Sequence, residues 1–317
     1  MLNWLLKTII KHYSKGRHGN KLNILTYHRV DEFEDPLNPT VLSVKDFHNQ
    51  LRWLKKHFVV LSIDEALSLM EAGKLPFGAV CLTIDDGYND SYHHIFRLLK
   101  EEGLVANFFI ATGGIESGAL WDEFIRHAFA KAPVSLTELS LNNQIFDIST
   151  FNQRLKSRDI IIEKIKYMTL EEREVMIDAL YKQTGATKPQ HSFLSKEQIK
   201  EMHDNGMIIG GHTHNHPILA VENKDVVDQQ IMECHGILES IIGEKVKYFA
   251  FPNGKLGIDF REEHSQLLKN IGIKAALSTD WGTLENLTED RYRIKRFTPW
   301  DDTKWRFCIR LAFNYRN

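Results

Sequence analysis

The chain has 317 residues, 43% hydrophobic and 26% charged, the proportions of an ordinary soluble globular protein long enough for one large α/β domain or two small ones. A formal net charge of −2 and the lack of any basic RNA-reading motif exclude a nucleic-acid partner held by whole-molecule attraction. Three widely spaced cysteines (Cys81, Cys234, Cys308), with no CxxC pair, exclude a disulfide framework and read as buried thiols of a reducing compartment.

The first twenty residues, "MLNWLLKTIIKHYSKGRHGN", hold an apolar stretch that Lys7 interrupts and that is too short to span a bilayer. No small-residue cleavage site follows, and the basic residues lie after the apolar part, unlike a secretory signal. Trp4, Leu5, Ile9 and Tyr13 set against Lys7, Lys11, Lys15 and Arg17 define a basic amphipathic helix. Residues 1–17 are expected either to touch an anionic membrane surface or to pack on their own domain. No other segment is long and apolar, so the expectation is a cytoplasmic protein, peripheral at most to the inner face of the membrane.

From residue 22 short apolar strands alternate with amphipathic helices. "LNILTYH" is a strand, and "VKDFHNQLRWLKKHF" places Phe47, Leu51, Leu54 and Phe58 at helical spacing. "SIDEALSLMEAG" opens with a Ser cap and ends at Gly73. "GAVCLTID" (strand), "SYHHIFRLLKEEG" (helix) and "VANFFIAT" (strand) follow. The rhythm resumes at "SKEQIKEMHDNG" and runs through "MIIGGHT", "VVDQQIMECHGILESIIG", "VKYFAFP", "SQLLKNIG" and "KAALSTD". This alternation predicts a parallel sheet or barrel with chemistry at the C-terminal ends of the strands. Residues 116–192 break it with a hairpin about Asn142-Asn143 and two helices. They read as an insertion, either an edge of the substrate cleft or a structural elaboration.

Two motifs carry chemistry. "LTIDDGYND" puts Asp85 and Asp86 side by side at the end of a buried strand, where like charges repel unless a cation meets them. "IIGGHTHNHP" supplies His212 and His216, spaced i, i+4, with His214 between them. Gly210-Gly211 before and Pro217 after argue for a strand end running into a turn rather than a helix. Two imidazoles and one carboxylate, with a position left open, form a catalytic rather than a structural metal site, and the second aspartate is then free to act as a base. A divalent ion also offsets the repulsion and keeps both carboxylates charged.

Here the residues resemble a known family. "LTIDDG" is similar to the T-F-D-D-G motif, and "HTHNH" to the H-[ST]-x-x-H motif, of the polysaccharide deacetylases, carbohydrate esterase family 4 with the NodB-homology domain. "YFAFPNG" resembles that family's third motif, and all three occur in the family's order. The resemblance implies a distorted (β/α) barrel over residues 21–317, preceded by the segment 1–20 and carrying the insertion at about 116–192. Position by position, it implies Asp85 as general base and Asp86, His212 and His216 as metal ligands. The Thr213 hydroxyl would orient the loop, and His214, without a counterpart role, is expected to be exposed. The Asn253 backbone N–H would face the oxyanion, with Gly254 allowing close approach of that turn.

The family's usual C-terminal L-x-H acid motif is missing. "LTYHRV" resembles instead the N-terminal Tyr-His motif of the poly-N-acetylglucosamine deacetylases, which implies His28 as general acid. In a closed barrel the first and last strands are neighbours, so moving the motif leaves the histidine in place. "TDWG" resembles the fourth motif and puts Trp281 against a sugar face. Arg296 is expected to bind substrate or to support the base.

The resemblance implies a metal-dependent enzyme that removes N-acetyl groups from the amino sugars of a bacterial surface polysaccharide or its lipid-linked precursor. Zn2+ suits the two-imidazole, one-carboxylate set best, while cobalt, nickel or manganese fit the same ligands. The competing readings are an O-acetyl esterase on the same fold and a non-catalytic metal-containing carbohydrate-binding protein.

Overall fold

The computed structural model describes residues 2–32 and 41–316. Eight strands form its main sheet: β1 (Asn23–Tyr27), β2 (Val59–Leu61), β3 (Ala79–Ile84), β4 (Asn107–Ile110), β5 (Ile208–Gly211), β6 (Tyr248–Ala250), β7 (Ala275–Trp281) and β8 (Ile294–Arg296). Seven run in the spatial order β8-β7-β6-β5-β4-β3-β1, and β2 pairs with the first half of β3. Every pairing in this sheet is parallel. After β8 the chain returns to β1. Thr26 N–H donates to Phe297 O at 2.9 Å and Phe297 N–H to Ile24 O at 2.8 Å, so the sheet nearly closes on itself. This is the (β/α) barrel expected from the alternation of elements.

Strand side chains alternate between two buried environments, which is why these strands read as continuous apolar runs. Ile24, Cys81, Phe109, Ala250, Leu277 and Ile294 belong to the cluster that fills the barrel. Leu25, Leu82, Phe108, Phe249 and Ala276 belong to the larger cluster beneath the surrounding helices. The helices start where hydroxyl caps stop the strands: Ser43 accepts from Asp46 N–H at 3.0 Å ahead of Val44–His57, and Ser62 accepts from Glu65 N–H at 3.2 Å ahead of Ile63–Glu71. Gly210 permits close packing inside the barrel, since a Cβ there would lie 2.6 Å from the Phe109 ring.

Between β4 and β5 lie the helix Trp121–Lys131, a hairpin of Glu138–Leu141 with Gln144–Asp147, and the helices Phe151–Lys166 and Leu170–Thr184. They close around their own apolar cluster, which includes Phe129, Leu139, Ile148, Ile161 and Leu180. The hairpin turns at Asn142 and Asn143, with φ of 49° and 59°, the left-handed pair that a two-residue turn needs. The N-terminal helix Leu2–Tyr13 buries Leu6 and Ile10 in the main core and leaves Trp4 71% exposed, so one stripe of it packs on its own domain. Among the described residues no helix is long and apolar enough to cross a membrane.

Candidate active site

The site lies at the C-terminal ends of β1, β3, β5, β6 and β8. In β3 the alternation that points Ala79 and Cys81 into the barrel continues to Thr83 and Asp85, so Asp85 sits in the mouth, 1% exposed. The chain then turns sharply. Asp86 has φ 77°, a left-handed conformation that strains a non-glycine residue. Thr213, His216 and Asn253 share it, with φ of 65°, 52° and 56°. Among the described non-glycine residues, the other two with positive φ are the hairpin asparagines. Backbone strain, of order 1 kcal/mol or more per residue, is thus concentrated at the residues the motifs singled out.

Asp86, His212 and His216 converge. Their ligand atoms all lie within 4.8 Å of one another, with Asp86 Oδ1 3.5 Å from His212 Nε2 and 3.4 Å from His216 Nε2. His212 is oriented by β6, since its Nδ1 lies 2.7 Å from Ala250 O. A carbonyl only accepts, so Nδ1 carries the proton and Nε2 turns a lone pair toward the carboxylate. Two acceptors this close need a positive charge between them. Burial pushes the His212 imidazole down, but the Asp86 and Asp85 carboxylates outweigh it and raise it. Burial and the neighbouring His212 push His216 down to about 3, leaving a neutral imidazole fit for ligation. The donor set therefore fits a divalent cation, with donors separated much as they are about 2 Å from a shared ion. Thr213 Oγ1 accepts from His216 N–H at 3.1 Å and so orients the loop.

Arg296 is 2% exposed and does not reach a substrate surface, which corrects the expectation that it binds substrate. Its Nη1 and Nη2 lie 2.8 and 2.7 Å from the two Asp85 oxygens, a forked pair. Nε donates to Ser278 O at 2.8 Å and Nη1 also to Thr83 Oγ1 at 3.1 Å, which fixes the plane of the fork. Burial would raise the Asp85 carboxyl, but the Arg296 guanidinium and His212 hold it below the usual range. Asp86 behaves alike: burial pushes it up, and His212, His28 and His216 pull it further down. Both carboxylates stay charged.

His28 follows β1 and is exposed on the wall of a cavity of about 320 Å³ that Asp86 also lines. Closure of the barrel brings Thr298 and Pro299, which follow β8, to the same wall. Trp281, at the end of β7, is 46% exposed, with its ring 5.3 Å from that of the exposed Trp300 and 4.8 Å from Phe297. Asn253 follows β6 at the same end of the barrel. Gly254 is required by its own turn, since with φ 68° a Cβ would lie 2.9 Å from Phe251 O and Thr279 N. His214 is not the exposed residue expected. Its Nδ1 lies 2.9 Å from Thr112 Oγ1 and its Nε2 3.6 Å from Glu233, which ties it to the scaffold.

Sequence reasoning missed other residues that line this cavity, among them Arg29, Tyr88, Asp122, Glu123 and Arg126. Arg29 donates to Asp90 at 3.1 Å and Glu123 at 3.0 Å and lies over the Tyr88 ring, while Tyr88 donates to Asp122 at 3.0 Å. Burial raises Asp122 and Glu123, and the nearby Asp86 charge raises Asp122 further. In "ALWDEF" these acids read merely as the first turn of a helix, where carboxylates are common.

Residues 72–276 match the family profile described as "Polysaccharide deacetylase". A curated relative, the poly-beta-1,6-N-acetyl-D-glucosamine N-deacetylase of Staphylococcus aureus, is 30% identical over 104 residues, which is 32% of this chain and only 35% of the relative's own length. Among solved structures, IcaB from Ammonifex degensii superposes with a TM-score of 0.61 at 19% identity, covering 94% of this chain and 98% of that one. The Streptococcus pyogenes deacetylase PplD, in complex with acetate, gives 0.60 at 18% identity over 89% and 93%. These likenesses of structure concern the fold. The profile covers well over half of the sequence and contains both the aspartate doublet and the histidine motif, and the chain belongs to the polysaccharide deacetylase family.

Proposed function

We propose that this protein is a metal-dependent N-deacetylase that hydrolyses the acetamido groups of amino sugars in a bacterial surface polysaccharide or its lipid-linked precursor, and that it belongs to the subgroup with an N-terminal Tyr-His motif. The observation that carries the reading is the forked Asp85–Arg296 pair beside the Asp86–His212–His216 cluster. A purely structural metal site, as in a carbohydrate-binding protein, has no use for a second buried carboxylate held charged at its edge.

Asp86, His212 and His216 would hold the ion, with Zn2+ the best match to the donors. A divalent ion bound there supplies Lewis-acid activation of water and of the acyl carbonyl. Asp85, kept ionised by Arg296, accepts the proton of the attacking water. The Asn253 N–H is assigned to the developing oxyanion, where one such donor is worth about 3 kcal/mol. His28, on the cavity that Asp86 also lines, gives its proton to the departing amine, a poor leaving group until protonated. Trp281, paired with Trp300, offers an aromatic face to a pyranose ring.

The test compares acetate release from N-acetylated and O-acetylated sugars by the metal-loaded wild type and His28→Ala. The expected result is release from the N-acetylated sugars, falling about 10²-fold or more in the variant. An alkoxide leaves more readily than an amine. Release confined to O-acetylated sugars and insensitive to the substitution would make the protein an esterase, and no release with metal bound would favour a binding protein.

The proposal includes a site of action at the inner face of the membrane. Trp4 and Leu5 are exposed beside Lys7 and Lys11, and the exposed Phe77 and Phe313 flank the same helix, packed under Lys11 and against Tyr13. Vesicles containing phosphatidylglycerol should sediment the protein at low salt, phosphatidylcholine vesicles should not, and Trp4→Ala with Leu5→Ala should reduce binding several-fold. Equal binding by wild type and variant would remove the helix from this role.

A further inference from the structure

The loop that carries the two clustered histidines is fastened mostly by the barrel and its own helices. Gly113 N–H donates to His214 O at 2.8 Å, and Asn215 N–H donates at 2.6 Å to Gln230 Oε1, on the helix Lys224–Ile242. The His212 ring is fixed, because its Nδ1 is bonded to Ala250 O. The His216 ring is not: among the described residues its Nδ1 forms no hydrogen bond. A metal-ligating imidazole is ordinarily aimed by the bond of its second nitrogen. His216 must instead be aimed by its backbone, which holds a left-handed conformation, φ 52°, that strains a residue with a Cβ.

The insertion meets that backbone. Arg173, on the helix Leu170–Thr184, is 2% exposed and donates through Nη1 to His216 O at 3.2 Å. Its guanidinium lies 4.8 Å from the centre of the Trp121 ring. The start of the same helix is tied to the chain just beyond the loop, where Leu170 N–H donates to Glu222 at 2.7 Å. Among the described residues Arg173 forms no ion pair. Burial pushes it down to about 10, with Glu222 and Asp122 supporting its charge from a distance, so it stays charged near neutral pH. A buried cation without a bonded acid is costly to keep. What this one meets is the carbonyl of a clustered histidine.

We propose that Arg173 is a positioning residue for metal binding, which holds the His216 carbonyl and so keeps the strained turn that aims the imidazole at the ion. The proposal rests on the metal-dependent reading above, and it makes the insertion part of the framework of the metal site.

The test is a titration of the metal-free full chain with Co2+, followed by the visible absorption of the bound ion. Arg173→Met keeps an apolar side chain against Trp121 and removes the donors. It is expected to weaken Co2+ binding about tenfold. Removing a positive charge from beside the site would by itself tighten a divalent ion, so the sign separates a lost brace from a lost charge. Arg173→Lys, which keeps the charge and a donor, should bind Co2+ more tightly than Arg173→Met. Ile161→Val trims the insertion's own core; it should lower the melting temperature by a few degrees and leave Co2+ affinity within about twofold. Equal or tighter binding by Arg173→Met overturns the proposal, and so does Arg173→Lys binding no better than Arg173→Met. An equal loss in Ile161→Val also overturns it, since the stability of the insertion would then be the cause. A wild type that takes up no Co2+ removes the metal reading and this proposal together. Acetate release by the Co2+-loaded wild type reads the deacetylase proposal separately, and bound Co2+ without release counts against that reading alone.

Discussion

His212→Ala is expected to give a folded protein that neither retains a divalent ion nor releases acetate. On the proposed reading the imidazole is one of three ligands, and its Nδ1 bond to Ala250 O directs the Nε2 lone pair at Asp86 Oδ1. Losing it leaves one imidazole and one carboxylate, too few donors to hold a transition-metal ion through purification. Lewis-acid activation is worth several kcal/mol, so acetate release should fall by about 10³-fold or more. His214→Ala is the control, because that side chain is tied to Thr112 and Glu233 outside the cluster. It should retain the ion and most of the activity. Elemental analysis and acetate assays on the two variants, with a chelated and zinc-restored wild type alongside, check this. Stoichiometric ion and full activity in His212→Ala would refute the convergence of the two motifs on one cation.

Arg296→Met is expected to have the largest effect on stability. It leaves Asp85 buried without its partner, and breaking a buried pair from one side costs about 3–5 kcal/mol. The pH dependence follows from the direction of the shift. In the wild type Asp85 lies below its ordinary value, so the pair stabilises the fold above the unfolded carboxylate range and that contribution is lost as the pH falls through the depressed value. Without Arg296 the largest opposition to burial is gone, and the carboxyl is expected to rise from its wild-type value. The deficit of the variant is then greatest near neutral pH and shrinks in acid, as the buried carboxylate takes up a proton. Urea midpoints near pH 7 and pH 5 should therefore converge. Asp85→Asn added to Arg296→Met should restore stability and leave acetate release abolished, since an amide needs no counter-charge and cannot serve as a base. A deficit that does not change with pH would mean that Arg296 acts through packing. Arg296→Lys should rescue little, because an ammonium cannot reproduce the fork that also holds Ser278 O and Thr83 Oγ1.

Arg296 also shows where reading the sequence stopped. It lies 211 positions from Asp85, and nothing in "YRIKRFTP" separates a buried counter-ion from a surface arginine. The strand that carries it becomes a neighbour of β1 only when the barrel closes. Arg173 is a similar case, since its helix reads as ordinary amphipathic sequence and its bond to His216 O exists only because the insertion folds back over the loop. His214 errs the other way. It stands between the two clustered histidines in sequence, yet the left-handed backbone at Thr213 and His216 directs it away to Thr112.

What the sequence determined by itself was whatever depends on neighbours along the chain. The alternation of strands and helices, the caps at Ser43 and Ser62, the Asn142-Asn143 turn, and the doublet and histidine pair at strand ends are all local patterns, legible because their physics acts within a few residues. What the tertiary structure alone decided was pairing across the barrel. It matched Asp85 with Arg296, brought Asp86 against His212 and His216, and set His28 beside the cavity. Charges and hydrogen bonds choose partners by distance in space, and closure of the sheet is the event that sets those distances.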